Sequence, residues 1–410
     1  MGTNLRFFDE YQDFKVKLSL ASQRRIMQKR NQKIAIIGAG IGGLTAGIML
    51  EKLGFEIEIY EAADSVRGIG AGMGLASNAI KAFEYLGMDA GVMAISNHLR
   101  DFEISDQNGK TILSADTERI KRSYETDNFA VHRADLHRYL SGKISSGKIY
   151  LNKKLIQIIQ EKEKVKIEFE DGTNGFSDFV IGADGVNSQV RQALIPNSEP
   201  RYAGYWCWRA TVDYDFDEFF KSNEVWGKNG RFGITPLTGK RIYWYACINS
   251  ELKDGIPDFG LNELKERFKD YFPKVRKILD LTKEENLIST PIVDLKPIAQ
   301  FHFGRILLVG DAAHATTPNM GQGACMALED VAVLQDELLK NDWEIAFKNY
   351  EKRRLKRTHY ITKTSWKAGK VAQTDNDWMI FLRNNLLRIL PDGISQFQLK
   401  RLLDEDFMKI

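Results

Sequence analysis

The stretch KIAIIGAGIGGLTAGIMLEKLGFEIEIYEA, Lys33 to Ala62, decides the fold. An apolar run, IAII, meets a cluster of glycines. A helical pattern follows, and then a second strand, EIEIYE. Continuous apolar runs of this kind suit strands of a parallel sheet covered on both faces. Gly38-x-Gly40-x-x-Gly43 lies between the strand and the helix. Gly38 permits the tight turn, Gly40 lets the backbone approach a pyrophosphate, and Gly43 lets the helix lie close to the sheet. The helix start offers unpaired N–H groups and partial positive charge to phosphates. Glu61 ends the second strand, 23 residues after Gly38. A carboxylate there accepts hydrogen bonds from a ribose 2′-OH and repels a 2′-phosphate.

Two more strand-to-turn signals lie far downstream, in DFVIGADGVNSQVR (Asp178 to Arg191) and RILLVGDAAH (Arg305 to His314). The second runs on through GDAAHATTPNMGQGACMALED, Gly310 to Asp330, into a helical pattern of about forty residues beginning at Met326. A simple NAD dehydrogenase would not need this distant GD turn. Hairpins are expected around Asn108-Gly109 and Asp171-Gly172, both strong turn dipeptides. From Tyr202 to Asn249 the chain is aromatic and β-rich, as a mixed or antiparallel sheet would be. A final helix is expected over Gln396 to Phe407. No repeat, low-complexity tract or Pro/Ser-rich linker separates these parts, so the second domain is inserted into the first. The expected fold class is α/β: a Rossmann-like dinucleotide-binding domain (33–98, 117–195 and 298–345), an inserted β-sheet substrate domain (99–116 and 196–297), an N-terminal extension (1–32) and a C-terminal helical region (346–410).

The 410 residues, 43% apolar and 28% charged with a net charge of +3, describe an ordinary globular chain and give no reason to expect nucleic acid. The basic run Lys352 to Arg357 is read as a solvated helix face. Cys207, Cys247 and Cys325 are scattered, and no metal-ligand spacing of His or Cys occurs, so no metal site is expected and a reducing cytoplasm fits. The longest apolar stretch, Ile34 to Leu50, is broken by five glycines and does not read as a membrane span. The first 32 residues lack the apolar core of a signal peptide.

With GAGIGG and Glu61, Asp184-Gly185 in IGADGVNSQVR, and Gly310-Asp311, the sequence resembles the single-component, class A flavoprotein aromatic hydroxylases. This is the family of p-hydroxybenzoate and salicylate hydroxylases, zeaxanthin epoxidase and FAD-dependent urate hydroxylase. The likeness runs from about Lys33 to Gln373. It implies FAD as cofactor. Asp311 would bind the ribityl chain, Pro318 would fix the backbone beside the flavin, and Gly321-Gln322-Gly323 would start a helix facing the pyrimidine end of the isoalloxazine. Ala62, Arg67, Arg133, the backbone of Leu155 and Asp184 are further cofactor contacts on the same ground. No second GxGxxG exists, consistent with transient docking of NAD(P)H as co-substrate.

The resemblance further implies an FAD-dependent monooxygenase. NAD(P)H reduces the flavin, O2 gives a C4a-hydroperoxide, and a small aromatic or heteroaromatic ring is hydroxylated. A water-poor pocket is needed, and Tyr205, Trp206, Trp208, Trp226, Phe232, Tyr243, Trp244 and Tyr245 could wall it, though most of them would simply pack a sheet face. Arg231 and Tyr243, twelve residues apart on adjacent expected strands, are the candidate catalytic pair, because Arg can bind an anionic ring and Tyr can hydrogen-bond a ring oxygen. The bacterial urate hydroxylase has the same Arg/Tyr spacing. Arg209 is a weaker candidate. A halogenase or reductase on the same fold is the alternative chemistry, and a non-catalytic scaffold is disfavoured by the complete flavin apparatus. A monomer or homodimer without nucleic-acid or membrane-spanning parts is expected.

Overall fold

The computed structural model describes residues 32–66, 68, 71–99, 102–115, 127–214, 221–251, 259–389 and 407–408. Arg67, the N-terminal extension up to residue 31 and the expected last helix up to residue 406 lie outside them.

A six-stranded sheet runs in the order His302–Phe303, Ile306–Leu308, Phe179–Gly182, Lys33–Ile37, Glu56–Tyr60 and Ile149–Tyr150. All neighbouring pairs are parallel except the first. The three strands that carry the glycine motifs are adjacent, with Ile36 opposite Ile181 and Ile181 opposite Leu307. Ile34, Ala35, Ile36, Val180, Ile181 and Leu307 are fully buried, as an apolar run without alternation requires when both faces are covered. All three turns therefore leave the sheet at one carboxyl edge, the usual ligand edge of an open α/β sheet.

The second sheet has seven strands: Ile288–Asp294, Arg201–Asp213, Arg241–Asn249, Gly230–Leu237, Ser222–Gly227, Phe102–Asp106 and Thr111–Ala115. The two expected hairpins form, with Gly109 and Gly172 at φ of 85° and 82°. Alternation sorts the side chains to two faces. Trp208, Phe232, Ile234, Trp244 and Ala246 form a buried cluster with the helices Leu261–Arg267 and Pro273–Leu281, and Trp206 packs against it. Tyr205, Trp226, Tyr243 and Tyr245 have the opposite parity. Half of the eight aromatics thus pack the back core.

The helical pattern after Met326 is two helices, Gly323–Lys340 and Trp343–Ala372, followed by Asp377–Ile389. The run Lys352 to Arg357 is not the solvated face expected of it. Lys352 and Lys356 are exposed, but Arg354 and Arg357 are buried. Arg354 Nε donates to Asp330 Oδ1 at 2.7 Å and its Nη2 pairs with Glu329 Oε2 at 2.8 Å, while Arg357 Nε donates to Glu329 Oε2 at 2.7 Å. Asp330 Oδ2 also accepts the Gly310 N–H at 2.8 Å and meets His314 Nε2 at 2.6 Å. Buried carboxylates need this many donors, because desolvation penalises an uncompensated charge heavily.

Burial alone would raise both carboxyls. Their partners outweigh it, Arg357 and Arg354 around Glu329 and His314 and Arg354 around Asp330, and both groups sit below the ordinary carboxylate range. A depressed folded-state pKa stabilises above the unfolded value of about 4, and that stability is lost as pH falls through the folded-state value. Arg354→Met should cost about 3–5 kcal/mol in urea unfolding at neutral pH, with the gap to the parent narrowing below about pH 4. A loss under about 1 kcal/mol would contradict the account.

Candidate active site

The first glycine turn is set by contact. Gly38 has φ of 103°, and a Cβ there would stand 2.4 Å from the Ala183 carbonyl oxygen. A Cβ at Gly43 would lie 2.0 Å from the Gly38 carbonyl oxygen. At Gly40 a Cβ would meet no protein atom within 4 Å; it would project into the space before the helix Ile41–Leu53. That helix has no side-chain cap and no acid in its first turn, so its free N–H groups face the cleft. Glu61 Oε2 accepts the Ala39 N–H at 2.7 Å and Oε1 the Ala63 N–H at 3.0 Å, which fixes the half-exposed carboxylate at the strand end with lone pairs to spare. Ala62 beside it is exposed. Glu61 accepts the Lys153 N–H on its carbonyl at 2.8 Å, which brings the start of the strand Leu155–Gln160 alongside.

The second turn repeats the device. Gly310 has φ of 60° and opens the short helix Asp311–His314. Pro318 and Asn319 lie in a 3-10 turn, and Gly321, at φ of 62°, has no protein atom within 4 Å of an added Cβ. Gln322 is buried, its Oε1 held by Asn78 Nδ2 at 2.8 Å. The helix beginning at Gly323 again has neither cap nor first-turn acid. An added Cβ at Gly323 would lie 4.0 Å from Asp311 Oδ1, so the carboxylate sits beside this helix start. Asp311 is open to solvent but ringed by protein. That surround pushes its pKa up, against the pull of His314, Arg133 and Arg191. Arg133, also open to the cleft, opens the helix Arg133–Ser141; burial among neighbours lowers its pKa, which Asp311 opposes and Arg209 reinforces.

Asp184 does different work. Its carboxylate accepts from Ser188 Oγ at 2.5 Å and from the N–H groups of Gln189 and Val190 at 2.7 and 3.1 Å, so it anchors the helix Gln189–Leu194. Arg191, given no role by the sequence reading, is wholly buried. It joins the second motif to the third by donating to the Val186 and Ala312 carbonyls at 2.7 and 3.1 Å.

On the front of the seven-stranded sheet, Arg231 lies opposite Cys247 and Tyr243 opposite Thr235, so the two share one face. Arg231 is already engaged. Nη1 donates to Glu224 at 3.0 Å, Nη2 to Asn319 Oδ1 at 2.8 Å and Nε to Gln373 Oε1 at 2.5 Å. Glu224 also accepts from Tyr245 at 2.8 Å and Trp226 at 3.0 Å, and Tyr205 donates to Asn319 at 3.1 Å. Glu224, Asn319 and Gln373 escaped the sequence reading. Tyr243, by contrast, has no hydrogen-bond partner for its hydroxyl among the described residues, and burial pushes its pKa up. Its ring fills the space beside Gly72, where an added Cβ would lie 2.4 Å away. Arg209 donates to Thr290 Oγ1, and its buried Nε has no acceptor among the described residues. Cys207 and Cys247, forty residues apart and read as scattered, are cross-strand neighbours on this face.

The family model described as an FAD binding domain matches residues 31–363. The chain is 31% identical over 371 residues to aurachin C monooxygenase/isomerase of Stigmatella aurantiaca, covering 88% of this chain and 95% of the relative. It is 29% identical to 2-heptyl-3-hydroxy-4(1H)-quinolone synthase of Pseudomonas aeruginosa, covering 88% and 94%. The structure of Klebsiella pneumoniae HpxO complexed with FAD and uric acid superposes with a TM-score of 0.83 at 25% identity, covering 91% of this chain and 96% of that one. The chain belongs to the FAD-dependent aromatic hydroxylases of class A. It is an FAD-binding oxidoreductase of the monooxygenase type, and the uncapped helix starts and open glycines fit a dinucleotide flavin.

Replacing Asp311 with Ala should give protein that purifies largely colourless, read as loss of flavin absorbance near about 450 nm. Full flavin content would remove Asp311 from the cradle.

Proposed function

We propose that the chain uses NAD(P)H and O2 to hydroxylate a small aromatic or heteroaromatic ring. The flavin, when bound, supplies the redox chemistry; the chain binds the ring, orients it and keeps water out. One observation carries the reading. Asn319, next to Pro318 in the flavin-facing loop, is clamped to the front of the second sheet by Arg231 and Tyr205. Sheet wall and cofactor cradle therefore border one cleft.

In this reading Tyr243 touches the substrate, its free hydroxyl donating to a ring oxygen. Arg209 offers a cation to the same oxygen as charge develops there. Arg231 is a positioning residue that holds Asn319. Arg133, Leu155 and Asp184 support the cofactor, the last by building the turn against which Gly38 packs.

The test is a panel of phenols, salicylates, pyridines, quinolones and purines, scored by stimulated NAD(P)H oxidation, O2 uptake and a product heavier by one oxygen. If no ring stimulates both consumptions, the reading fails. For the responding substrate, Tyr243→Phe should raise KM about tenfold, the worth of one hydrogen bond, with flavin content unchanged. Arg231→Met should lower kcat more than it raises KM and increase the NAD(P)H consumed per product. Unchanged KM in the first variant, or unchanged coupling in the second, would contradict the assigned roles.

A further inference from the structure

The helix Asp377–Ile389 is turned inside out. Its buried residues are polar: Arg383, which donates to the Ala372 carbonyl at 3.1 Å and lies 4.8 Å above the Trp226 ring, and Asn384. Its outer surface carries Trp378, Met379, Phe381, Leu382, Leu386 and Ile389, each about half exposed or more, with Trp378 at 70% and Ile389 at 74%. Trp378 and Phe381 stack on each other at 5.8 Å. A soluble monomer rarely leaves a contiguous apolar surface of this kind without a use for it.

The helix before it carries a matching charge pattern. Along the 30 residues of Trp343–Ala372, Lys352, Lys356, Lys363, Lys367 and Lys370 recur at intervals of four, seven, four and three residues. At 3.6 residues per turn they fall within one narrow face. All five are exposed, and none forms an ion pair among the described residues. The helix holds only two acids. Glu344 lies in the first turn, and Glu351 is turned to the Phe301 and His302 N–H groups at 2.6 and 3.0 Å. The row ends at the short turn that leads into the exposed apolar helix. Among the described residues no acid neutralises it.

We propose that these two helices dock the protein on an anionic phospholipid bilayer surface. The apolar side chains of Asp377–Ile389 would enter the headgroup boundary, and the lysine row would meet the lipid phosphates. Charge complementarity selects this occupant. A two-fold partner copy would bring an identical uncompensated lysine row to the same interface, whereas an anionic surface neutralises it. An exposed apolar helix that follows a lysine row along the chain supplies the two kinds of contact made by helices that lie in the membrane plane. No helix among the described residues is long and apolar enough to cross a bilayer, so the contact is peripheral.

The test uses the full-length, flavin-loaded protein in sedimentation with vesicles. One set holds equal parts phosphatidylglycerol and phosphatidylcholine; the other is pure phosphatidylcholine. The expected result is binding to the anionic vesicles that falls about tenfold or more on pure phosphatidylcholine, and again at high salt, where charges are screened within a few ångströms. The double variants Trp378→Ser/Phe381→Ser and Lys363→Glu/Lys367→Glu should each lose about tenfold or more of that binding. Retained flavin and unchanged melting temperature show that they fold. No sedimentation with either vesicle overturns the proposal, as does equal binding by the folded variants. A dimer in light scattering that Trp378→Ser/Phe381→Ser dissociates, without vesicle binding, would assign the face to a second copy instead.

Discussion

The carboxylate of Asp330 holds the catalytic half of the molecule in shape. It binds the Gly310 N–H at 2.8 Å, meets His314 at 2.6 Å and accepts from Arg354 at 2.7 Å, all in the interior. Gly310 is in a left-handed conformation that the turn into Asp311 requires. A chain bent that sharply at the end of a buried strand leaves an N–H without a strand partner, and Asp330 supplies the acceptor. The neighbouring Glu329 extends the network, taking Asn78 Nδ2 at 2.6 Å; Asn78 in turn holds Gln322. The GD turn, the Gly-Gln-Gly turn and the two long helices are therefore one electrostatic unit.

A second constraint is what the cleft lacks. Both glycine-opened helices begin without a side-chain cap and without an acid in the first turn. Natural helices usually satisfy these N–H groups locally. Here glycine stands where a side chain would be in the way, so both sets of donors are left open, as phosphates and an electron-rich ring system would require. Their separation follows from the sheet, because Lys33–Ile37 and Ile306–Leu308 flank Phe179–Gly182 and end at the same edge.

The parts legible in sequence are those whose causes are local. A glycine at positive φ, a strand without polar alternation and an Asn-Gly turn each announce themselves within a few residues, and so the three motif turns, both hairpins and the shared face of Arg231 and Tyr243 could be read. The partners of buried charge are not local. Arg354 and Arg357 read as part of a solvated run because their acids lie 24 and 28 residues away on another helix. Arg231 looked free for substrate because two of its acceptors, Asn319 and Gln373, are 88 and 142 residues distant, although its acid, Glu224, stands only seven residues away on the neighbouring strand. Asp184, assigned to the cofactor by resemblance, also anchors the helix next to it, through partners only four to six residues away. Acids set in the apolar pattern CMALEDVAVL were the available signal, since a carboxylate on a core-facing helix implies a buried cation.

Three adjacent strand ends would grip both halves of one dinucleotide flavin. The most direct measurement is calorimetric titration of the flavin-stripped protein with FAD and, separately, with FMN, which has the isoalloxazine and ribityl chain but lacks the adenylate half. If the Gly38–Gly43 turn and Glu61 hold that half, FAD should bind about a hundredfold tighter or more, roughly 2.7 kcal/mol. Equal affinities would mean that the first turn grips nothing, and the account would be wrong.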